Sequence, residues 1–441
     1  MPPNSNGFSA REQRGWYFYD FANSAFVSTV VTLFLGPWLT VLAKNAADPA
    51  GLIYPFDIPV DARSYWSYLI AVSVFSQVIF LPMIGGLADY SARKKQWLAA
   101  LAYTGAGATM GMFFLEGTRY LLGGALFLAA NLAFGASIVI YNAFLPEIAP
   151  EEERAAVSSK GWGLGYLGGG LLLGLNLLLY QNAGRLGLDE GFAVRISLAS
   201  AGAWWAFFSL IPLAALRNRK PLKPVPPGGI PVMGSFLQLV RTLKEIRKLP
   251  MTFLFLVAYL LYNDAIQAVI TLAGQFGSDY LKIPMADLTL AILMVQFVAF
   301  GGAMAFNWLA ARITAKRAVA LALMLWIALM FGVFFVKTTA HYFIAAALVA
   351  VIMGGSQALS RSIFSLMIPR GREAEFFSLY ESSVKGTSWL APLSFGLTLQ
   401  FTGSYQLAIL SQIIFFLAGL LLLLRVDVAR AAQEAGAEVP G

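Results

Sequence analysis

The chain has no cysteine and only one histidine, His341. Without cysteine there is no disulfide framework, no zinc–thiolate site and no thiolate chemistry. A lone histidine cannot pair with another to hold a metal, and at the start of an apolar run it reads as an interfacial residue. The sequence therefore predicts neither an enzyme nor a metal or cofactor. Charge is also scarce: 12% of the 441 residues are Asp, Glu, Lys or Arg, against 58% that are hydrophobic. Soluble domains carry about 25% charge. With a mean hydropathy of +0.69, this composition belongs to a protein whose main partner is the lipid bilayer. The net charge of +8 does not point to nucleic acid, because the bases sit in short loops between apolar runs. The opening MPPNSNGFSAREQRG has no short apolar core and no small-residue cleavage site. No signal peptide is expected, and the first apolar run is expected to stay.

A spanning helix needs about 20 mostly apolar residues. Twelve stretches meet that need, near 15–42, 64–88, 94–116, 119–146, 153–181, 193–216, 250–277, 286–311, 316–337, 340–367, 373–400 and 404–425. The predicted fold is an all-α integral membrane protein with twelve transmembrane helices in two six-helix halves, 1–216 and 250–425. A linker, 217–249, separates the halves and a tail, 426–441, follows them. The prolines of RNRKPLKPVPPGGIP keep that part of the linker from being a helix interior. RTLKEIRK, Arg241 to Lys248, predicts a short surface helix. Arg93, Lys94 and Lys95, then Arg154, the Arg217–Lys248 cluster, Arg312, Lys316 and Arg317, and Arg370 with Arg372 fall in alternate loops. That bias predicts both termini in the cytoplasm. The expected location is the plasma membrane, which in a bacterium is the inner membrane.

The first span carries WYFYDFANSAF, with Asp20, Asn23 and Ser24 at helical spacing. The seventh carries YNDAIQAVI, from Tyr262 to Ile270. Placing Tyr19 on Tyr262 puts Asp20 on Asn263, Phe21 on Asp264 and Ser24 on Gln267. Matching polar insertions in two apolar helices predict two similar halves around a polar centre. The loop after the second span reads GGLADYSARKK, Gly85 to Lys95. Asp89 lies four and five residues before Arg93 and Lys94, a spacing suited to a charge-assisted clasp that opens and closes.

Gly85, Asp89, Arg93 and Lys94 resemble the loop signature of the major facilitator superfamily. Tyr90 stands where a base is usual and Ala92 where a glycine is usual. WYFYDFANSAF, YNDAIQAVI and GGSQALSRSIFSLMIPRGREAEFFSLYESSVKGTSW resemble the vacuole-effluxer-like branch of that superfamily, named for export of amino acids from the vacuole. The likeness spans nearly the whole chain. It implies a secondary transporter working by alternating access on a small-molecule substrate, amino acids first and drug-like or sugar-like solutes behind them. In that fold span 1 lies by span 5 and span 7 by span 11, and the central site comes mainly from spans 1, 4, 7 and 10. Gly85, Asp89, Arg93 and Lys94 would then gate the cytoplasmic side. A non-transporting receptor or scaffold stays open as the alternative.

Two intramembrane ion pairs are expected on that arrangement, Asp20 with Lys160 and Asp264 with Lys385. Glu381, four residues before Lys385, competes for that lysine or is itself the protonatable acid. A charged side chain in lipid marks a functional site by default, and a carboxyl in a low-dielectric cavity suits coupling to protons. The bland alternative is a static pair that locks helix packing. Asn23, Ser24, Asn142, Tyr262, Asn263, Gln267 and Gln357 complete the candidate lining, as ligands for a zwitterion or as glue between helices. Tyr262, Asn263, Asp264 and Gln267 together predict one wide polar face. The glycine runs GWGLGYLGGGLLLG and GGAMAF lack the strand and the Lys-Ser/Thr of a nucleotide loop. They are expected to allow close sliding contact between the halves.

Overall fold

The structure, a computed structural model, describes residues 9–149, 151–219, 246–368, 380 and 388–435. Most of what it describes is helix, because a chain in lipid must pair its own N–H and C=O groups. The helices are α1 (Ala10–Ala46), α2 (Tyr65–Tyr90), α3 (Lys94–Gly111), α4 (Tyr120–Asn142), α5 (Glu151–Asn182) and α6 (Glu190–Ala215). After the linker come α7 (Pro250–Tyr280), α8 (Met285–Ile313), α9 (Ala315–Phe335), α10 (Thr339–Leu366), α11 (Leu390–Thr402), α12 (Tyr405–Arg425) and a short α13 (Val428–Glu434). Among the described residues nine helices are long and apolar enough to cross a membrane. The helices α2, α3 and α11 fill the remaining places in the expected order. Leu178 of α5, Phe207 of α6 and Phe297 of α8 stand exposed, as lipid contact requires.

Local sequence sets the ends. Asp189 caps α6 by accepting the Phe192 N–H at 2.7 Å, and Thr338 and Ser404 do the same for α10 and α12. Pro250 opens α7, where its missing N–H leaves no bond unmade. Both α1 and α7 contain π-helical turns, at Phe26–Phe34 and Phe276–Tyr280. Such turns are frequent at functional sites. Between α1 and α2 a two-stranded hairpin pairs Leu52–Ile53 with Val60–Asp61. Asp48 staples it, and the Leu52 N–H and then the Tyr54 hydroxyl hold its carboxyl below the usual carboxylate range.

The chain divides into two compact units, Met1–Ala62 with Ile79–Phe236, and Arg63–Val78 with Leu237–Gly441. In the first, α1 packs on α5 and α6, and α3 on α4 and α6. In the second, α8 packs on α10, α7 on α12, and α9 on α10 and α12. The first half of α2 joins the second unit. There the Tyr68 hydroxyl donates to Gln400 at 2.9 Å, Arg63 donates to the Gly403 carbonyl at 3.0 Å, and Gln275 donates to the Arg63 carbonyl at 2.6 Å. Nothing in the apolar pattern of α2 distinguishes its two halves in this way.

Glycines bring helices together inside each unit, where their runs were expected to serve sliding between the halves. A Cβ on Gly168 of α5 would lie 2.3 Å from the Phe21 carbonyl oxygen of α1. A Cβ on Gly302 of α8 would lie 2.4 Å from the Val351 Cα of α10. Both obstacles are backbone, which cannot rotate away. Gly168→Val is therefore expected to push α5 off α1 and to cost about 1–3 kcal/mol or more. Thermal unfolding of the purified variant checks this, and a wild-type melting temperature would mean the crossing can widen freely.

Candidate functional site

In the first unit the site is built on one face of α1. Trp16, Tyr19 and Asp20 are three and four residues apart, so they share that face. The Tyr141 hydroxyl of α4 donates to Asp20 Oδ2 at 2.8 Å. Trp16 donates from Nε1 to the Tyr141 carbonyl at 2.9 Å, and the two rings stack at 4.1 Å. Tyr19 packs on the same ring at 5.1 Å. Behind the acid, α5 presents glycine: a Cβ on Gly161 would lie 2.7 Å from Asp20 Oδ2, and one on Gly165 would lie 2.7 Å from Ser24 Oγ. Asn23 is buried on the next turn, and Asn142 is exposed at the end of α4. The expected pair of Asp20 with Lys160 does not form: Lys160 is exposed on α5 and Tyr141 takes its place. The reason is helical phase. Gly161, Gly165 and Gly168 hold the face of α5 that meets α1, and Lys160 points about 100° away from Gly161.

In the second unit the polar residues of α7 do not share one face. The Tyr262 hydroxyl and Ser360 Oγ of α10 are 2.5 Å apart. Asn263 Oδ1 accepts from Gln357 Nε2 of α10 at 3.3 Å. Asp264 turns to α11, where its Oδ2 accepts the Ala391 N–H at 3.0 Å. Gln267 is exposed, so the single wide polar face expected for this helix is three separate contacts and a free end. The Asp264 side chain is buried, and among the described residues its Oδ1 finds no hydrogen-bond donor. Lys385 and Glu381 lie outside the described residues. The alignment of Asp20 on Asn263 has a structural counterpart. Each unit ties its first helix to its fourth through that position, Asp20 to Tyr141 in one and Asn263 to Gln357 in the other. The tie is made by a carboxyl group in the first unit and a carboxamide in the second.

A third cluster lies at the ends of α1, α3, α4 and α6. Lys94 opens α3 and is buried, with its Nζ 2.5 Å from Glu147 Oε1. Arg219, just past α6, reaches Glu147 at 3.6 Å and grips Glu12 with both guanidinium nitrogens, at 3.1 and 2.8 Å. Of the expected loop clasp, Arg93 is exposed, and the Gly85 and Asp89 side-chain positions lie outside the described residues. Lys94 serves a buried pair instead of that loop. Sequence reading missed Glu147, Glu12 and Arg219, because acids at the ends of apolar runs read as ordinary loop residues. An uncompensated lysine entering α3 was the available signal.

Two units of packed helices, each carrying carboxylates inside its apolar spans, define a membrane transporter of the major facilitator type. A mutant of the nucleoside transporter NupG has the same fold, with a TM-score of 0.67 at 14% identity over 94% of this chain and 98% of that one. The chain belongs to the vacuole effluxer Atg22-like family, whose model matches residues 9–436. The MFS-type transporter YxiO of Bacillus subtilis (strain 168) is 31% identical over 94% of each chain. Autophagy-related protein 22 of Yarrowia lipolytica (strain CLIB 122 / E 150) is 27% identical over 88% of this chain and 79% of that protein.

Proposed function

We propose that this transporter moves a small polar solute, an amino acid in the first place, across the plasma membrane by alternating access. Both termini lie in the cytoplasm, as the distribution of bases in the loops favours. The proton is the coupling ion. The observation that carries this reading is Asp264, which is 1% exposed and, among the described residues, holds the Ala391 N–H alone. An ionised carboxylate left so in a low-dielectric span costs several kcal/mol unless a cation or a proton joins it. Such a group gains and loses its partner as the surroundings change, which is what coupling to a gradient needs. Asn263 and Gln357, joined at 3.3 Å in the second unit, support the substrate class, since amide groups can both accept from an ammonium and donate to a carboxylate. The family's description as effluxers supports a solute-carrying role.

Uptake and counterflow of labelled amino acids in proteoliposomes, with and without an inward proton gradient, test the reading. Gradient-stimulated flux of at least one amino-acid class is expected. Flux confined to sugar-like or drug-like solutes would overturn the substrate. Binding without flux of any solute would make the protein a receptor.

A further inference from the structure

The helix α2 passes from the second unit to the first after Val78. Its backbone is weakened at the same place. Pro82 lies four residues past Val78 and has no N–H. In an α-helix that N–H would bond the Val78 carbonyl. The bond missing from α2 is therefore the one that would tie the last residue of its first half to its second half. Helices bend most sharply at such positions.

The first half is held on the second unit by polar contacts and a glycine seat. The Tyr68 hydroxyl donates to Gln400 Oε1 of α11 at 2.9 Å. Arg63, just before α2, donates from Nη1 to the Gly403 carbonyl at the end of α11 at 3.0 Å. The Arg63 carbonyl in turn accepts from Gln275 Nε2 of α7 at 2.6 Å. Between these contacts the two helices nearly touch: a Cβ on Gly396 of α11 would lie 2.7 Å from Ser67 Oγ and 2.8 Å from Tyr68 Cε1. Ser67 is fully buried there. A joint of this kind parts at low net cost. Each hydrogen bond is exchanged for one to water, and a glycine surface lets a helix come away without unlocking large side chains.

We propose that the first half of α2 is a latch, seated on Gly396 and held by Tyr68–Gln400 and Arg63–Gly403, which swings at Val78–Pro82 and leaves α7 and α11 when the protein opens outward. The proposal rests on alternating access with both termini in the cytoplasm, which puts the start of α2 at the outer face. It adds the residues that keep that face shut.

The chain has no cysteine, so an introduced thiol reports a single place. Ser67→Cys puts one in the buried seat, and Phe56→Cys puts one on the outer hairpin, where Phe56 is 91% exposed. Both are treated in intact cells with a membrane-impermeant maleimide. Phe56→Cys is expected to label at once and Ser67→Cys slowly. Adding Tyr68→Phe, which deletes the bond to Gln400, is expected to quicken labelling of Ser67→Cys about threefold to tenfold. The double variant Ser67→Cys/Gly396→Cys places the two side chains within reach of a disulfide. In proteoliposomes its oxidation is expected to cut flux of labelled amino acids about tenfold or more, and reduction to restore it. Tyr68→Cys with Gln400→Cys, bridged by a short bifunctional maleimide, serves if Gly396→Cys does not fold. Labelling of Ser67→Cys that Tyr68→Phe leaves unchanged would overturn the latch, and so would full flux through the oxidised protein. Failure to label Phe56→Cys would overturn the orientation and the latch with it. Quickened labelling in a protein that moves no solute would uphold the latch and overturn the transport reading instead.

Discussion

Replacing Asp264 by Asn is expected to abolish gradient-driven transport and to spare exchange. The amide oxygen of the new side chain can still accept the Ala391 N–H that Asp264 accepts at 3.0 Å. The contact of α7 with α11 therefore survives, and the variant is expected to fold. The variant loses the ability to take up and release a cation at a buried position. Net flux that needs that step is expected to fall about 10²-fold or more, the scale on which loss of a proton-carrying group acts. Counterflow needs no net movement of the ion and is expected to stay within about threefold of the wild type. Parallel uptake and counterflow assays in proteoliposomes separate the two. Equal loss of both would place Asp264 in solute binding or packing, and loss of neither would remove it from the mechanism.

The second large effect is expected at the Lys94–Glu147 pair, which the structure buries to 3% exposure on both side chains. Removing one partner strands the other charge in a dry site. Lys94→Met or Glu147→Leu alone is expected to destabilise the protein by about 3–5 kcal/mol, whereas replacing both by apolar residues is often neutral. The double variant is therefore expected to regain most of what either single variant loses. Arg219 moderates the cycle, because it lies 3.6 Å from Glu147 and also holds Glu12. Unfolding of the four proteins under one set of conditions closes the cycle. Losses that simply add would mean the two charges are independently solvated and the pair holds nothing together.

Part of this site was legible in the chain itself. Asp20 and Asp264 stand out because an acid inside an apolar run is costly wherever the helix ends up. Their partners were not legible in the same way. Tyr141 lies 121 residues from Asp20, and nothing in the local pattern of α4 says which helix its hydroxyl will meet. Lys160 was the tempting counter-ion because it sits near the right depth on the right helix. It fails because rotation about α5, set by the glycines that meet α1, turns it outward.

By itself, then, the sequence determined the membrane setting, the helical class, the likeness between YNDAIQAVI and WYFYDFANSAF, and the presence of two acids, Asp20 and Asp264, inside apolar runs. Each of these rests on local composition or on the cost of charge in lipid, which do not depend on how the helices meet. Tertiary structure alone decided that Asp20 pairs with Tyr141, that Asp264 reaches Ala391, that Lys94 is buried on Glu147, and that the first half of α2 joins the second unit. Those outcomes depend on the rotation of each helix about its axis and on contacts between distant segments. Backbone hydrogen bonds that are satisfied within each helix place no constraint on either.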